Sequence, residues 1–293
     1  MMSCTLPQGF LHQVAWPEKK KAGKKGALII KFLVTSLFTC LVLLLSGVNN
    51  VAMAEINDIN SAINKAGRQR MLSQRMAKAY LQIGQGIDLQ HSKKILESSI
   101  ALFDRQLVEL KNYAPTPETK NTFSKLETVW IAYKDVLIGS APSREGAKKV
   151  MELSDTVLQL SHDGTLQLVS LSKSESAPLV GVAGRQRMLS QQMAKFYQAI
   201  LWGVAPSNGV AELARARREF DIGLKALTGA PVTTPVIKGE LDLARQQFMF
   251  FENALGGGSG DKIMQATTVA TTSERLLDVM DRITSLFEKM EVK

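Results

Sequence analysis

The chain has 293 residues, 45% of them hydrophobic, and a formal net charge of +9. That is enough apolar material for one large or two modest cores, and it excludes both a disordered chain and a polytopic membrane protein. Most of the positive charge is local: Lys19, Lys20, Lys21, Lys24, Lys25 and Lys31 outweigh Glu18, giving residues 1–31 a net +5 and leaving +4 from residue 55 onward. The basic balance therefore makes no case for a nucleic-acid partner. Cys4 and Cys40, the two cysteines, lie before residue 54, so the remainder has no disulfide, thiol nucleophile or cysteine-ligated metal.

The first 54 residues read as a targeting segment. Lys19 to Lys31 precede an uncharged run of 17 residues, Phe32 to Val48, and then Ala52-Met53-Ala54. Basic, apolar and small-x-small is the order of a secretory signal peptide. An uncleaved inner-membrane anchor facing the periplasm is the competing reading, since 17 residues lie at the lower limit for spanning a bilayer. In both cases the positive flank stays in the cytoplasm and the rest is exported to the periplasm.

An internal repeat sets the expected architecture. Residues 66–83, AGRQRMLSQRMAKAYLQI, match residues 183–200, AGRQRMLSQQMAKFYQAI, at 14 of 18 positions and an offset of 117. The exported part is thus a tandem duplication, 55–173 and 174–293. Apolar spacing within each copy is helical: Leu72, Met76, Ala79 and Ile83 in the motif, and Leu153, Val157, Leu160 and Leu168 further on. Breakers at Gly84–Gln90, Ala114–Pro117 and Gly139–Ser143 divide copy one. Those at Gly203–Asn208, Gly229–Pro235 and Gly256–Gly260 divide copy two. The predicted fold is all-α, two tandem up-down four-helix bundles.

On the motif helix a second stripe lies opposite the core stripe: Ile63, Gly67, Arg70, Gln74, Ala77 and Leu81, repeated as Val180, Gly184, Arg187, Gln191, Ala194 and Gln198. Small residues around one fixed arginine suit a helix–helix contact, and the natural partner is the matching helix of the other copy. Arg70 and Arg187 would then face each other. Two guanidinium groups about 6 Å apart repel by roughly 3 kcal/mol at an effective dielectric near 20. A small planar anion would replace that repulsion by charge-assisted hydrogen bonds. The candidate ligand-binding residues are accordingly Gly67, Arg70, Gly184 and Arg187, with Arg68, Arg185, Gln74 and Gln191 beside them in the repeated segment. Whether the motif helices pair within one chain or across a homodimer stays open at this level.

These residues carry a nameable likeness. Ile63-Asn64-Lys65-Ala66-Gly67, followed by Arg70-Met71 and Ser73, resembles the first-helix signature of the NarX/PilJ-type periplasmic sensory domain, found in nitrate/nitrite sensor kinases and type IV pilus chemotaxis transducers. The resemblance implies a helical bundle, an anion-binding arginine falling on Arg70 and Arg187, a backbone approach to the anion falling on Gly67 and Gly184, and nitrate or nitrite as ligand. It also implies signalling through a membrane sensor kinase or chemotaxis transducer.

The rival reading is an interaction module without a small ligand, in which Arg68 and Arg75 contact the acidic surface of a transducer or pilus-associated protein. Nothing in the sequence assembles a nucleophile, base and oxyanion donor, so no enzyme, cofactor or metal is expected. His91 and His162 read as surface or helix-end residues; Glu97, Asp104, Glu109 and Glu127 as ion-pairing carboxylates; Trp130, Tyr133, Phe248, Phe250 and Phe251 as core.

Overall fold

Each run between breakers forms one α-helix, and local chemistry fixes most of the ends. The computed structural model describes residues 56–257 and 260–290; the targeting segment expected over residues 1–54 lies outside them. Copy one contributes α1 (Ile59–Gln85), α2 (Leu89–Tyr113), α3 (Pro117–Ile138) and α4 (Arg144–Leu171). Copy two contributes α5 (Ala177–Trp202), α6 (Gly209–Gly229), α7 (Pro235–Gly256) and α8 (Lys262–Glu288). Side-chain oxygens of Asp58, Thr116, Ser143, Thr234 and Asp261 accept from the first-turn amides of α1, α3, α4, α7 and α8. Pro117 and Pro235 open α3 and α7, where a missing N–H costs nothing. The motif helices end alike: Gly86 and Gly203 take left-handed backbone, φ 70° and 74°, and return their amides to the last turn.

Connections of three to six residues make successive helices antiparallel neighbours. In copy one, α1 packs on α2 and α4, and α3 on α4; in copy two, α5 packs on α6 and α8, and α7 on α8. The most extensive contact of all joins the two copies, α1 against α5. The motif helices therefore pair within one chain, at the centre of a single compact unit. No helix among the described residues is long and apolar enough to cross a membrane.

Central placement explains why α1 is buried on nearly every side. Leu72, Met76 and Ala79 face their own bundle, while Ile63, Ala77 and Leu81 face the other copy, and all are fully buried. The aromatic core repeats as well. Phe103 stacks on Trp130 with centroids 4.1 Å apart, and Phe220 meets Phe248 at 4.4 Å. The Tyr133 hydroxyl donates to the Ser73 carbonyl at 2.8 Å, tying α3 to the motif helix. Phe250 departs from the expected core set: it is 59% exposed, because a residue two places after the inward Phe248 points away on a helix.

Candidate functional site

The crossing of α1 and α5 is built on Gly67 and Gly184. A Cβ on Gly67 would stand 3.9 Å from the Gly184 Cα, in ordinary van der Waals contact with the opposite backbone. The same point is 3.1 Å from Arg70 Nη2 and 3.5 Å from Arg187 Nη2. The two guanidinium groups thus converge over the paired glycines, as the repeated stripe implies.

Each arginine reaches across to the opposite motif helix. Arg70 Nη2 donates to the Gly181 carbonyl at 3.1 Å, and Arg187 Nη2 donates to the Asn64 carbonyl at 3.1 Å and to Asn64 Oδ1 at 2.7 Å. Gly181 and Asn64 are repeats of each other, 117 residues apart. Both guanidinium groups are buried, and the Nε of each has no hydrogen-bond partner.

The remaining nitrogens break the symmetry. Arg187 Nη1 meets Asp281 Oδ1 at 2.5 Å, and Arg68 Nη2 meets the same oxygen at 2.8 Å. Arg70 Nη1 instead lies 3.3 Å from Nδ1 of His162. Burial, then the neighbouring Arg70 and Arg185, push the His162 imidazole below its ordinary value, so near neutrality it is uncharged and Nδ1 can accept. No carboxylate of the described residues lies within ion-pairing distance of Arg70. Burial, then Arg185 and Arg187, pull the Arg70 guanidinium down to about 9; burial and Arg68 pull Arg187 only to about 10, because Asp281 opposes them.

A cavity of about 210 Å³ opens on the α4 side of Arg70, walled by Arg70, His162, Arg185 and Arg215 together with Leu158 and Met188. Arg185 pairs with Glu219 at 2.6 Å, and Arg215 with Glu212 at 2.5 Å and Glu219 at 2.9 Å. Two glutamates therefore neutralise two of the three arginines, and one positive charge, on Arg70, is left over.

The other expected residues hold the frame. Gln74 Nε2 donates to the Ser154 carbonyl at 3.2 Å and Gln191 Nε2 to the Ser273 carbonyl at 3.0 Å, each inside its own bundle. Arg68 is engaged by Asp281 and Arg75 by Glu274, so neither presents an uncommitted charge to an outside acidic surface. The carboxylates read as ion-pairing include Asp104 with Lys134, Glu109 with Lys65 and Glu127 with Lys111. His91 is exposed, whereas His162 is not a mere helix-end residue: it faces Arg70 across the α1–α4 contact.

Sequence reasoning passed over two buried lysines. Lys78 of α1 crosses to α8 of the other copy, donating to Ser273 Oγ at 3.0 Å and pairing with Glu274. Lys195 of α5 makes the reciprocal crossing to α4, with Ser154 Oγ at 3.2 Å and Asp155 at 2.7 Å. Both stand in the identical stretch of the repeat, which was the available signal. Chemically the site offers a buried guanidinium without a carboxylate partner among the described residues, at a cavity and bonded across the α1–α5 contact.

No curated protein and no solved structure matches the chain. The family described as type IV pili methyl-accepting chemotaxis transducer N-term, PilJ, matches residues 51–153 and 168–249, in both copies and across most of the helices described above. Its members are periplasmic, non-catalytic sensory modules of membrane chemotaxis transducers. With more than half its length so matched, the chain belongs to the PilJ family of sensory N-terminal domains.

Proposed function

We propose that the protein is an exported, non-catalytic sensory protein of two modules, about 55–173 and 174–293, that takes up a small oxyanion at Arg70 and signals through a membrane transducer or sensor kinase. The observation carrying this reading is the buried Arg70 guanidinium, which has cations rather than carboxylates around it and a cavity at its side. A buried charge left so is costly, and an anion supplies the missing partner. Nitrate or nitrite is the simplest planar occupant for a guanidinium fork. Because Arg70 also holds the Gly181 carbonyl of α5, an anion drawing on its Nη groups competes with that bond. Ligand then biases the packing of α1 on α5, and the partner reads the bias.

Calorimetric titration of the protein with nitrate and nitrite tests this, beside an Arg70→Gln variant. Saturable binding that the variant loses is the expected result. Binding of equal strength in both proteins would overturn the assignment of Arg70.

A further inference from the structure

The two copies show what the site takes, because one of them contains its own occupant. The register between copies is 117 residues at Arg70 and Arg187, 118 at the capping residues Thr116 and Thr234, and 119 at Ser154 and Ser273. The last pair is equivalent by its bonds: each serine carbonyl accepts from the motif glutamine of its own copy, and each hydroxyl from the lysine of the other. Two turns further along, the same register places His162 of α4 opposite Asp281 of α8. Both meet Nη1 of their arginine.

In copy two a carboxylate oxygen, Asp281 Oδ1, is thus held by Arg187 and by Arg68. The repeats of those arginines are Arg70 and Arg185, and both wall the copy-one cavity, where a neutral imidazole stands in place of the carboxylate. One positive charge there is unmatched, which calls for a monoanion. At roughly 30 Å³ per water the cavity holds about seven waters' worth of volume, well beyond a four-atom oxyanion. Leu158 and Met188 supply an apolar wall beside the cations.

We infer that the copy-one site binds an organic monocarboxylate with a short aliphatic body, one per chain, its carboxylate between Arg70 and Arg185 in the manner of Asp281. This rests on the reading of Arg70 as the anion-binding residue, and narrows its ligand class. The aliphatic part lies against Leu158 and Met188, and copy two takes no ligand because Asp281 occupies the equivalent position.

The test is calorimetric titration with sodium salts from formate to hexanoate, and with nitrate. Affinity should rise about fourfold per methylene until the cavity is full, at a stoichiometry of one. His162→Asp installs the copy-two arrangement in copy one and should weaken binding at least tenfold. Arg185→Gln, altering a half-exposed side chain, should do the same and serves if the aspartate variant fails to fold. Nitrate binding with a flat carboxylate series overturns the organic ligand and leaves the oxyanion reading standing. Two carboxylates per chain, or full affinity in folded His162→Asp or Arg185→Gln, also overturns the inference. Absence of binding by every anion removes both readings.

Discussion

Replacing Arg70 by methionine should stabilise the protein, whereas the same change at its repeat, Arg187, should destabilise it. The Arg70 guanidinium is drawn from its ordinary value down to about 9, a difference that disfavours its charged form by roughly 5 kcal/mol. Because its folded value lies below its unfolded value, that cost is present throughout the range below about 9 and fades only as pH climbs from there towards the ordinary guanidinium value. A measurement at pH 7 therefore sees all of it. Methionine removes the charge and fills similar volume, but leaves the Gly181 carbonyl without its donor, a loss of about 1–2 kcal/mol. A net gain of about 3–4 kcal/mol follows, within the range found when buried charges give way to apolar side chains. At Arg187 the same substitution strips Asp281 of its 2.5 Å partner and Asn64 of two donors, and a net loss of about 1–3 kcal/mol is expected. Urea unfolding at pH 7 in chloride buffer, with no nitrate or carboxylate added, reads both signs as shifts in midpoint. The melting temperature should move by roughly 2–4 °C per kcal/mol. If Arg70→Met costs as much stability as Arg187→Met, the account of an uncompensated charge in copy one is wrong.

Two further outcomes follow from the frame around the site. Burial alone would raise the Glu274 carboxyl, but Lys78 and Arg75 overcome it and hold it at about 2, so its contribution is present above about 4.5 and is lost as pH falls towards 2. Between pH 5 and 2 the wild type should lose about 3 kcal/mol more than Glu274→Gln in parallel denaturation series; equal acid limbs would refute the pairing. Gly164→Ala sets a Cβ 2.7 Å from the Phe123 ring in a packed core and should cost about 1–3 kcal/mol, measured by the same unfolding assay, where a neutral result would show that the ring yields freely.

The architecture was legible because the repeat supplied its own comparison. Gly67 and Gly184, predicted to allow close approach, are where the helices cross, and Arg70 and Arg187 converge there as the stripe requires. What faces those arginines from α4 and α8 was hidden by register. The longer path between α6 and α7, and one more residue before Ser273, carry the offset from 117 to 119. Aligned at 117, His162 falls against Val279 and reveals nothing; aligned at 119, it falls against Asp281. The lysine crossings were obscured for another reason. A lysine on a helix ordinarily lies in water, and only the burial of α1 and α5 on nearly every side turns Lys78 and Lys195 into interior groups.

Those crossings also dictate how the central helices can move. Lys78 and Lys195 pin α1 and α5 to the opposite bundles eight residues beyond the arginines, about 12 Å along the axis. With that level held, any tilt of α1 about it is magnified towards the start of the helix. Ile59, the first residue of α1, lies about 28 Å from the pivot. A displacement of about 1 Å at Arg70 therefore grows to about 2 Å at the start of the helix, by leverage alone.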